Sequence, residues 1–402
     1  MVGTNRGAIP ATLRRTNERA IIGLLMQMGT ASRADLAKAA GLSQPTTGKI
    51  TSELLELDLL QEIEAAPVSE AFPPAANRVG RPGRMLRLNC ERNRFLALEL
   101  DVAETRLAAM PVAMREDQWA SAFPTTTSPA TWQSHLRRAL AKIPIEGLWG
   151  ILVSVPGVVD EKAGKVLFSP NLHWTEKVNL AAVIQEVCDL PVLLVQEIRA
   201  LALGHLTVNP KARDFLLVDF GNGVGGAIVK GGRLFTNPLP LNGELGHTPV
   251  PGNQRVCGCG ARGCVETLVG RHGLLESFAA THPRSPRTWR SLLEMVEKRG
   301  LDAWLAISIE AACASIAGAL NVLGLRHVVI TGFLDEFPAE VRDALVQGIR
   351  RGTMWARFGE VSCEFAPRHR AAGLAGVGLD RFLVPAAHYE GLRSRHLQPL
   401  AR

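Results

Sequence analysis

The chain has 402 residues, 47% of them hydrophobic, and a formal net charge of +7 with a pI near 9.2. That length suits two or three domains, and that apolar content excludes wholesale disorder. No run reaches 18 uninterrupted apolar residues, and the N-terminus has no apolar stretch followed by a small-residue cleavage site, so no membrane span, no signal peptide and a cytoplasmic location are expected.

Residues 1–10 read as a leader. Over 12–28 the apolar residues Leu13, Ala20, Ile21, Leu24, Leu25 and Met28 recur at helical spacing, and Gly29 ends the helix. Ser32 is suited to cap a short second helix, Arg33–Ala40, which Gly41 stops. Ser43 opens a third helix through about Leu57, with Pro45 in the first turn, where a missing N–H costs little. A strand at 59–64, a loop rich in Pro, Ala and Gly at 65–83 and a returning strand Met85–Leu88 complete a winged module. From 95–101, a buried strand, the pattern changes. Strands at 148–155, 191–195, 214–219, 225–230 and 327–331 alternate with helices at 178–188, 197–206, 267–280, 288–298, 302–324, 338–351 and 370–383. A polar tail follows. No repeat of solenoid length is present. The expected class is α/β: a winged helix-turn-helix in 1–90, then a larger two-lobed α/β unit in 91–402.

The segment Ala37-Lys38-Ala39-Ala40-Gly41-Leu42-Ser43 carries the physics of a helix-turn-helix. Ala37 allows close helix approach, and Gly41 supplies the positive φ of the sharp turn. Leu36, Leu42, Ile50 and Leu54 fill the core between helices. That leaves Ser43, Gln44, Thr46, Thr47 and Lys49 at the N-terminal part of the third helix, the part that enters a major groove. Gln and Thr can read base edges, and Lys49 can meet phosphate or guanine. Six arginines (78, 81, 84, 87, 92 and 94) stand between 78 and 94 against one acid, Glu91. The turn Gly80-Arg81-Pro82-Gly83-Arg84 would present Arg81 and Arg84 on a rigid tip for phosphate or minor-groove contact. The expected partner is a double-stranded DNA operator, bound by a homodimer or dimer of dimers. A helical protein-interaction module with a solvated basic loop is the competing reading.

Seven cysteines include three, Cys257, Cys259 and Cys264, within eight residues. With His247 just upstream they offer one imidazole and three thiolates, a set suited to a closed tetrahedral Zn²⁺ site, and Gly258, Gly260 and Gly263 let a tight loop wrap the ion. With no position left for water, such a site is structural. Buried free thiols are the alternative.

The stretches Gly243-Glu244-Leu245-Gly246-His247 and Cys257-Gly258-Cys259-Gly260, closed by Gly263-Cys264-Val265-Glu266, together with Ser154-Val155-Pro156-Gly157 and Pro170-Asn171-Leu172, resemble signatures of the ROK family (repressors, open reading frames and kinases). The resemblance covers nearly the whole chain and is strongest to the repressor branch. It implies a winged helix ahead of a glucokinase-like, actin-like two-lobed ATPase fold and a sugar effector. Carried over by position, Asn171, Glu244, His247 and Glu266 are the implied sugar contacts, joined by Glu197 at the position of the family's catalytic base. His247 would bind zinc through one ring nitrogen and a sugar hydroxyl through the other.

Departures from the kinase pattern argue against an enzyme. The first-strand Asp-x-Gly-Gly-Thr hairpin is replaced by Asp101-Val102-Ala103-Glu104-Thr105, which puts Glu104 where phosphates would sit. The catalytic Asp is replaced by Glu197, and Phe333 in Thr331-Gly332-Phe333 would crowd a nucleotide. The second phosphate loop survives as Phe220-Gly221-Asn222-Gly223-Val224-Gly225-Gly226. A sugar kinase with an accessory helical domain, and a regulator governed by a protein partner, are the remaining alternatives.

Overall fold

The computed structural model describes residues 8–63, 84–113, 118–209, 211–236 and 241–382. Residues 1–7 of the expected leader, the whole 65–83 loop with Arg78 and Arg81, and the C-terminal tail fall outside them; residues 8–10, expected in the leader, belong to the first helix.

The winged module follows the caps read from sequence. Helix α1 (Ala8–Met28) leads through Gly29, at φ 71°, into a three-residue strand β1 (Thr30–Ser32) that sequence patterning missed. Ser32 caps α2 (Arg33–Ala40) in a full capping box with Asp35, and Gly41 ends it at φ 66°. Ser43 caps α3 (Gln44–Glu56) by accepting from the Thr46 amide. Strands β2 (Leu60–Ile63) and β3 (Met85–Leu88) pair antiparallel, and β1 joins the other edge of β3.

Two five-stranded sheets follow, one per lobe. The first lobe contains β4 (Phe95–Leu100), β5 (Glu104–Met110), β6 (Ser121–Pro124), α4 (Pro129–Leu140) and β7 (Gly150–Val155). It continues with a small ribbon, β8 (Val158–Asp160) and β9 (Lys165–Phe168), then α5 (Leu180–Gln185), β10 (Val192–Gln196) and α6 (Glu197–Val208). Its strand order is β10-β7-β4-β5-β6. The second lobe contains β11 (Phe215–Phe220), β12 (Val224–Lys230), β13 (Arg233–Leu234), α7 (Glu266–Val269), α8 (Arg271–Thr281), α9 (Trp289–Arg299) and α10 (Ala303–Leu323). It ends with β14 (His327–Gly332), α11 (Ala339–Gly352) and β15 (Ser362–Phe365), after which the chain returns to the first lobe as α12 (Arg370–Phe382), packed on α6, β4 and β7. Its order, β15-β14-β11-β12-β13, repeats that of the first lobe strand for strand. In both, an antiparallel meander flanks a parallel edge.

Three expectations are corrected. The helix expected over 267–280 is two, because Gly270 is extended (ψ 160°) and lies against the Asn222 carbonyl, where a Cβ would approach to 2.7 Å. The helix expected over 178–188 is six residues long. Strand β5, the edge strand β6 and helix α4 were not foreseen. Helix α10 alone among the described helices is long and apolar enough to cross a membrane, yet Leu305, Ile309, Ile316 and Leu320 lie in the core of the second lobe.

The winged module and the first lobe share one apolar core. Ile21, Leu25, Leu36 and Leu86 form a single cluster with Phe95, Leu152 and Leu374, and α1 packs on α6. Polar contacts close the seam. Asp58, the one non-glycine at positive φ (57°) among the described residues, accepts from Asn89 (2.8 Å), Arg92 (2.8 Å) and Arg94 (3.2 Å). Arg94 is buried, also donates to the Leu57 carbonyl at 3.1 Å, and stacks over Trp149.

Candidate functional site

Ser43, the N-cap of α3, and Gln44, Thr46 and Lys49 in its first two turns are exposed. The Ser43 and Thr46 hydroxyls lie 2.8 Å apart, so both shape the N-terminal turn. Thr47 does not belong with them. It is fully buried beside Thr51, because the α3 face that carries Ile50 and Leu54 also carries positions 47 and 51. Of the six arginines, Arg84 is exposed beside α3's module and pairs with Glu62 at 2.6 Å, and Arg87 pairs with Glu91 at 2.8 Å. Arg92 and Arg94 serve the seam to the first lobe rather than a wing. Arg81 lies outside the described residues.

A cysteine- and histidine-rich knuckle is built between β13 and α7. Gly260 and Gly263 sit at φ 89° and 82°, and the Cys257 amide donates to the Ala261 carbonyl at 2.8 Å, folding the loop on itself. One ligand atom from each of His247, Cys257, Cys259 and Cys264 lies within 4.8 Å of all the others. Cys259 Sγ and Cys264 Sγ are 3.8 Å apart, and Cys257 Sγ is 3.6 Å from His247 Nδ1. Those are the edge lengths of a tetrahedron whose centre is about 2.3 Å from sulfur and about 2.0 Å from nitrogen, the distances of zinc. Arg255, not singled out from sequence, fixes the knuckle to the helices behind it by donating to the Thr267 carbonyl (2.7 Å), the Gly273 carbonyl (3.0 Å) and Ser277 Oγ (2.9 Å).

Between the lobes lies a cleft of about 800 Å³, whose walls include all five expected sugar contacts: Asn171, Glu197, Glu244, His247 and Glu266. His247 turns Nδ1 toward Cys257 and Nε2 toward Glu244, at 3.6 Å. A Cβ on Gly223 would come within 2.9 Å of Glu266 Oε2 and 3.8 Å of Asn171 Nδ2, so that glycine lets the loop close on both. Gly226 and Gly243 are in backbone contact, with the Gly226 amide donating to the Gly243 carbonyl at 2.7 Å. Packing therefore accounts for Gly223 and Gly226 of the surviving glycine loop.

Two arginines that sequence reading passed over, Arg368 and Arg370, leave the β15–α12 connection in opposite directions. Arg368 makes a two-pronged contact to Asp219 in the second lobe, at 2.7 and 2.8 Å, and Thr331 Oγ1 donates to the same carboxylate at 2.7 Å. Arg370 reaches into the first lobe, where it pairs with Glu99 at 2.5 Å and with Glu197. Burial pushes both Glu99 and Glu197 above the ordinary carboxylate range, with Arg370 opposing the shift. Glu197 thus lines the cleft but is already engaged. Glu104 is corrected as well: its carboxylate turns to Arg106 (2.8 Å) and does not line the cleft. Phe333 does line it, but packs into an aromatic wall with Trp289 (centroids 4.8 Å apart) and Phe337, capped by the Arg271 guanidinium 4.1 Å from the Trp289 ring.

With these features in place, a family model described as the ROK family matches residues 112–377. The chain belongs to the ROK family. It is 27% identical over 284 residues to the DNA-binding transcriptional repressor Mlc of Escherichia coli, covering 69% of this chain and 68% of that one. It is 25% identical over 349 residues to the dual regulator NagC of the same organism, covering 81% and 82%. A xylose repressor of Caldicellulosiruptor bescii matches at 25% over 272 residues, 65% of this chain and 66% of that repressor's length. Among solved structures, a ROK family transcriptional regulator described as a homologue of the E. coli Mlc protein superposes with a TM-score of 0.70 at 20% identity, over 92% of this chain and 98% of that one. A ROK glucokinase from Streptomyces griseus superposes at 0.55 and 21% identity, over 70% and 97%. A winged module followed by a sugar-kinase-like pair of lobes, the fold of the ROK transcriptional regulator, is thus the fold of this chain.

Proposed function

We propose that this ROK protein is a sequence-specific DNA-binding transcriptional regulator, a repressor of carbohydrate genes, that senses a sugar and does not phosphorylate it. Residues 1–90 act as the DNA reader and 91–402 as the sensor. The observation that carries this reading is the fate of Glu197. A kinase needs a free carboxylate to take the proton of the attacking hydroxyl. Here the carboxylate at that position is held by Arg370, while an exposed helix-turn-helix stands on the same core. The named relatives that regulate transcription support it.

In the sensor, Asn171, Glu244, His247 and Glu266 accept from and donate to sugar hydroxyls, and a sugar lacking one of those hydroxyls leaves a buried group unpaired. His247, Cys257, Cys259 and Cys264 would hold a structural Zn²⁺, and with Nδ1 so engaged His247 would keep one tautomer and offer Nε2 to the cleft. A thiolate at Cys257 no longer donates to Glu266, now 2.9 Å away, and so leaves that carboxylate for a hydroxyl. Gln44, Thr46 and Lys49 meet base edges and phosphates, and a homodimer or dimer of dimers presents two such helices to a cytoplasmic operator with two-fold symmetry.

Selection of genomic fragments on the purified protein tests the reading. One two-fold symmetric sequence should be enriched, with affinity falling steeply as salt rises. Its affinity should change with the cognate sugar in the native protein and stay fixed in Glu244→Ala. Recovery of no enriched DNA, or sugar-dependent ATP consumption in a coupled assay, overturns it.

A further inference from the structure

The charges around the cleft narrow the chemistry of the effector, granted the sugar-sensing reading above. Eight carboxylates but only four guanidinium groups line it. Every one of the four is already matched. Arg106 lies 2.8 Å from Glu104 and 3.9 Å from Glu99, and Arg271 lies 3.3 Å from Glu336. Arg368 is forked onto Asp219, and Arg370 sits between Glu99 and Glu197. On the acidic side, Asp335 faces Arg342 at 3.0 Å. Three carboxylates remain. Asp101 accepts from Asn222 Nδ2 (3.1 Å) and its neighbour's amide, both neutral donors. Glu244 and Glu266 have no guanidinium or ammonium partner: both face His247, at 3.6 and 3.8 Å, and Glu266 also accepts from the neutral Cys257 thiol at 2.9 Å.

We infer that the effector is an uncharged polyhydroxylated sugar, and that phosphorylated sugars are excluded. Hydroxyl groups are the donors that three unmatched carboxylates require. A phosphate ester brings nearly two negative charges and no donor. It would find no free guanidinium, and taking Arg368 or Arg370 would strip a buried carboxylate of its partner. Like charges at this spacing in a half-buried cleft disfavour the ester on the order of 100-fold. The former phosphate end of the cleft is thus neutralised from within the chain, and its arginines are fasteners rather than anion receptors.

The test is a set of matched pairs on the zinc-loaded full-length protein: glucose, mannose, N-acetylglucosamine and xylose, each beside its phosphate ester, read by thermal shift and titration calorimetry. At least one parent sugar should bind, with its ester weaker on the order of 100-fold. Asp101→Asn, a near-isosteric change, should narrow that gap. An ester that binds as well as or better than its parent overturns this inference and leaves the sugar-sensing reading standing. Binding by neither member of any pair removes both.

Discussion

The Arg370→Ala variant exposes what the fastener inside the cleft contributes. Arg370 is 3% exposed and Glu99 4% exposed, and the guanidinium is shared between Glu99 and Glu197. Removing the cation leaves two carboxylates in a poorly solvated place, with Arg106, 3.9 Å from Glu99, and the field of Arg368 at Glu197 as partial compensation. Breaking a buried pair in this way costs about 3–5 kcal/mol. The sign of the pH dependence follows from the raised pKa values of both acids. A carboxylate whose folded pKa lies above its unfolded value favours the folded state at low pH and loses that contribution as pH rises. Without Arg370 the shift grows, so the deficit should be small near pH 5 and approach its full size near pH 8. Urea denaturation across that range measures it. Adding Glu99→Gln and Glu197→Gln to an Arg370→Met background should recover most of the loss, because no charge is then stranded. A deficit below about 1 kcal/mol at pH 8, or one that does not change with pH, would refute the argument that these charges are buried and interdependent.

Cys259→Ala should abolish copurification of one zinc per chain and destabilise the second lobe, since metal binding is folding energy at such a site; elemental analysis and thermal denaturation check both. Gln44→Ala should change which bases the protein prefers, whereas Arg84→Ala should weaken binding to all sequences alike, as selection and salt titration will distinguish. His205, buried against Phe215 on the inner side of α6, has its pKa lowered to about 4, by burial first and by His369 and His327 second. Its unfolded form takes up a proton near pH 6.5. The stability it supports is therefore complete above that value and declines as pH falls toward 4, by roughly 3 kcal/mol in all; His205→Gln should flatten that part of the pH–stability curve.

Local signals carried most of what was legible. The caps at Ser32, Gly41 and Ser43 and the His247–Cys264 spacing depend on residues a few positions apart, so the winged helices and the knuckle could be read directly. Thr47 was misplaced although the means to place it were present: with Ser43 as N-cap, 47, 50, 51 and 54 trace one inward face, and Ile50 and Leu54 already marked it as core. Arg368 and Arg370 were invisible for the opposite reason. Their partners Asp219 and Glu197 lie 149 and 173 positions away, and no local rule pairs them. The arginine run from 78 to 94 misled because composition does not say which side chains turn outward; Arg94 turns inward, to Asp58. The duplicated lobe topology left no trace in the sequence, since alternation and burial tolerate any residues of the right character.

The common core of Ile21, Leu25 and Leu86 with Phe95, Leu152 and Leu374 bears on how such a protein can be re-engineered or can diverge. A reader tethered by a slack linker can be exchanged at its boundary, and a foreign one will work as long as it folds. Cutting here at residue 90 would bare the α1 surface that rests on α6 and would separate Asp58 from Arg94. A chimaera that keeps this sensor must therefore also keep α1, β3 and the Asp58 turn, and change only α2 and the outward side of α3. On the proposed reading, new operator specificity is reached through a few exposed side chains such as Gln44 and Lys49, while wholesale replacement of the winged module is opposed by packing.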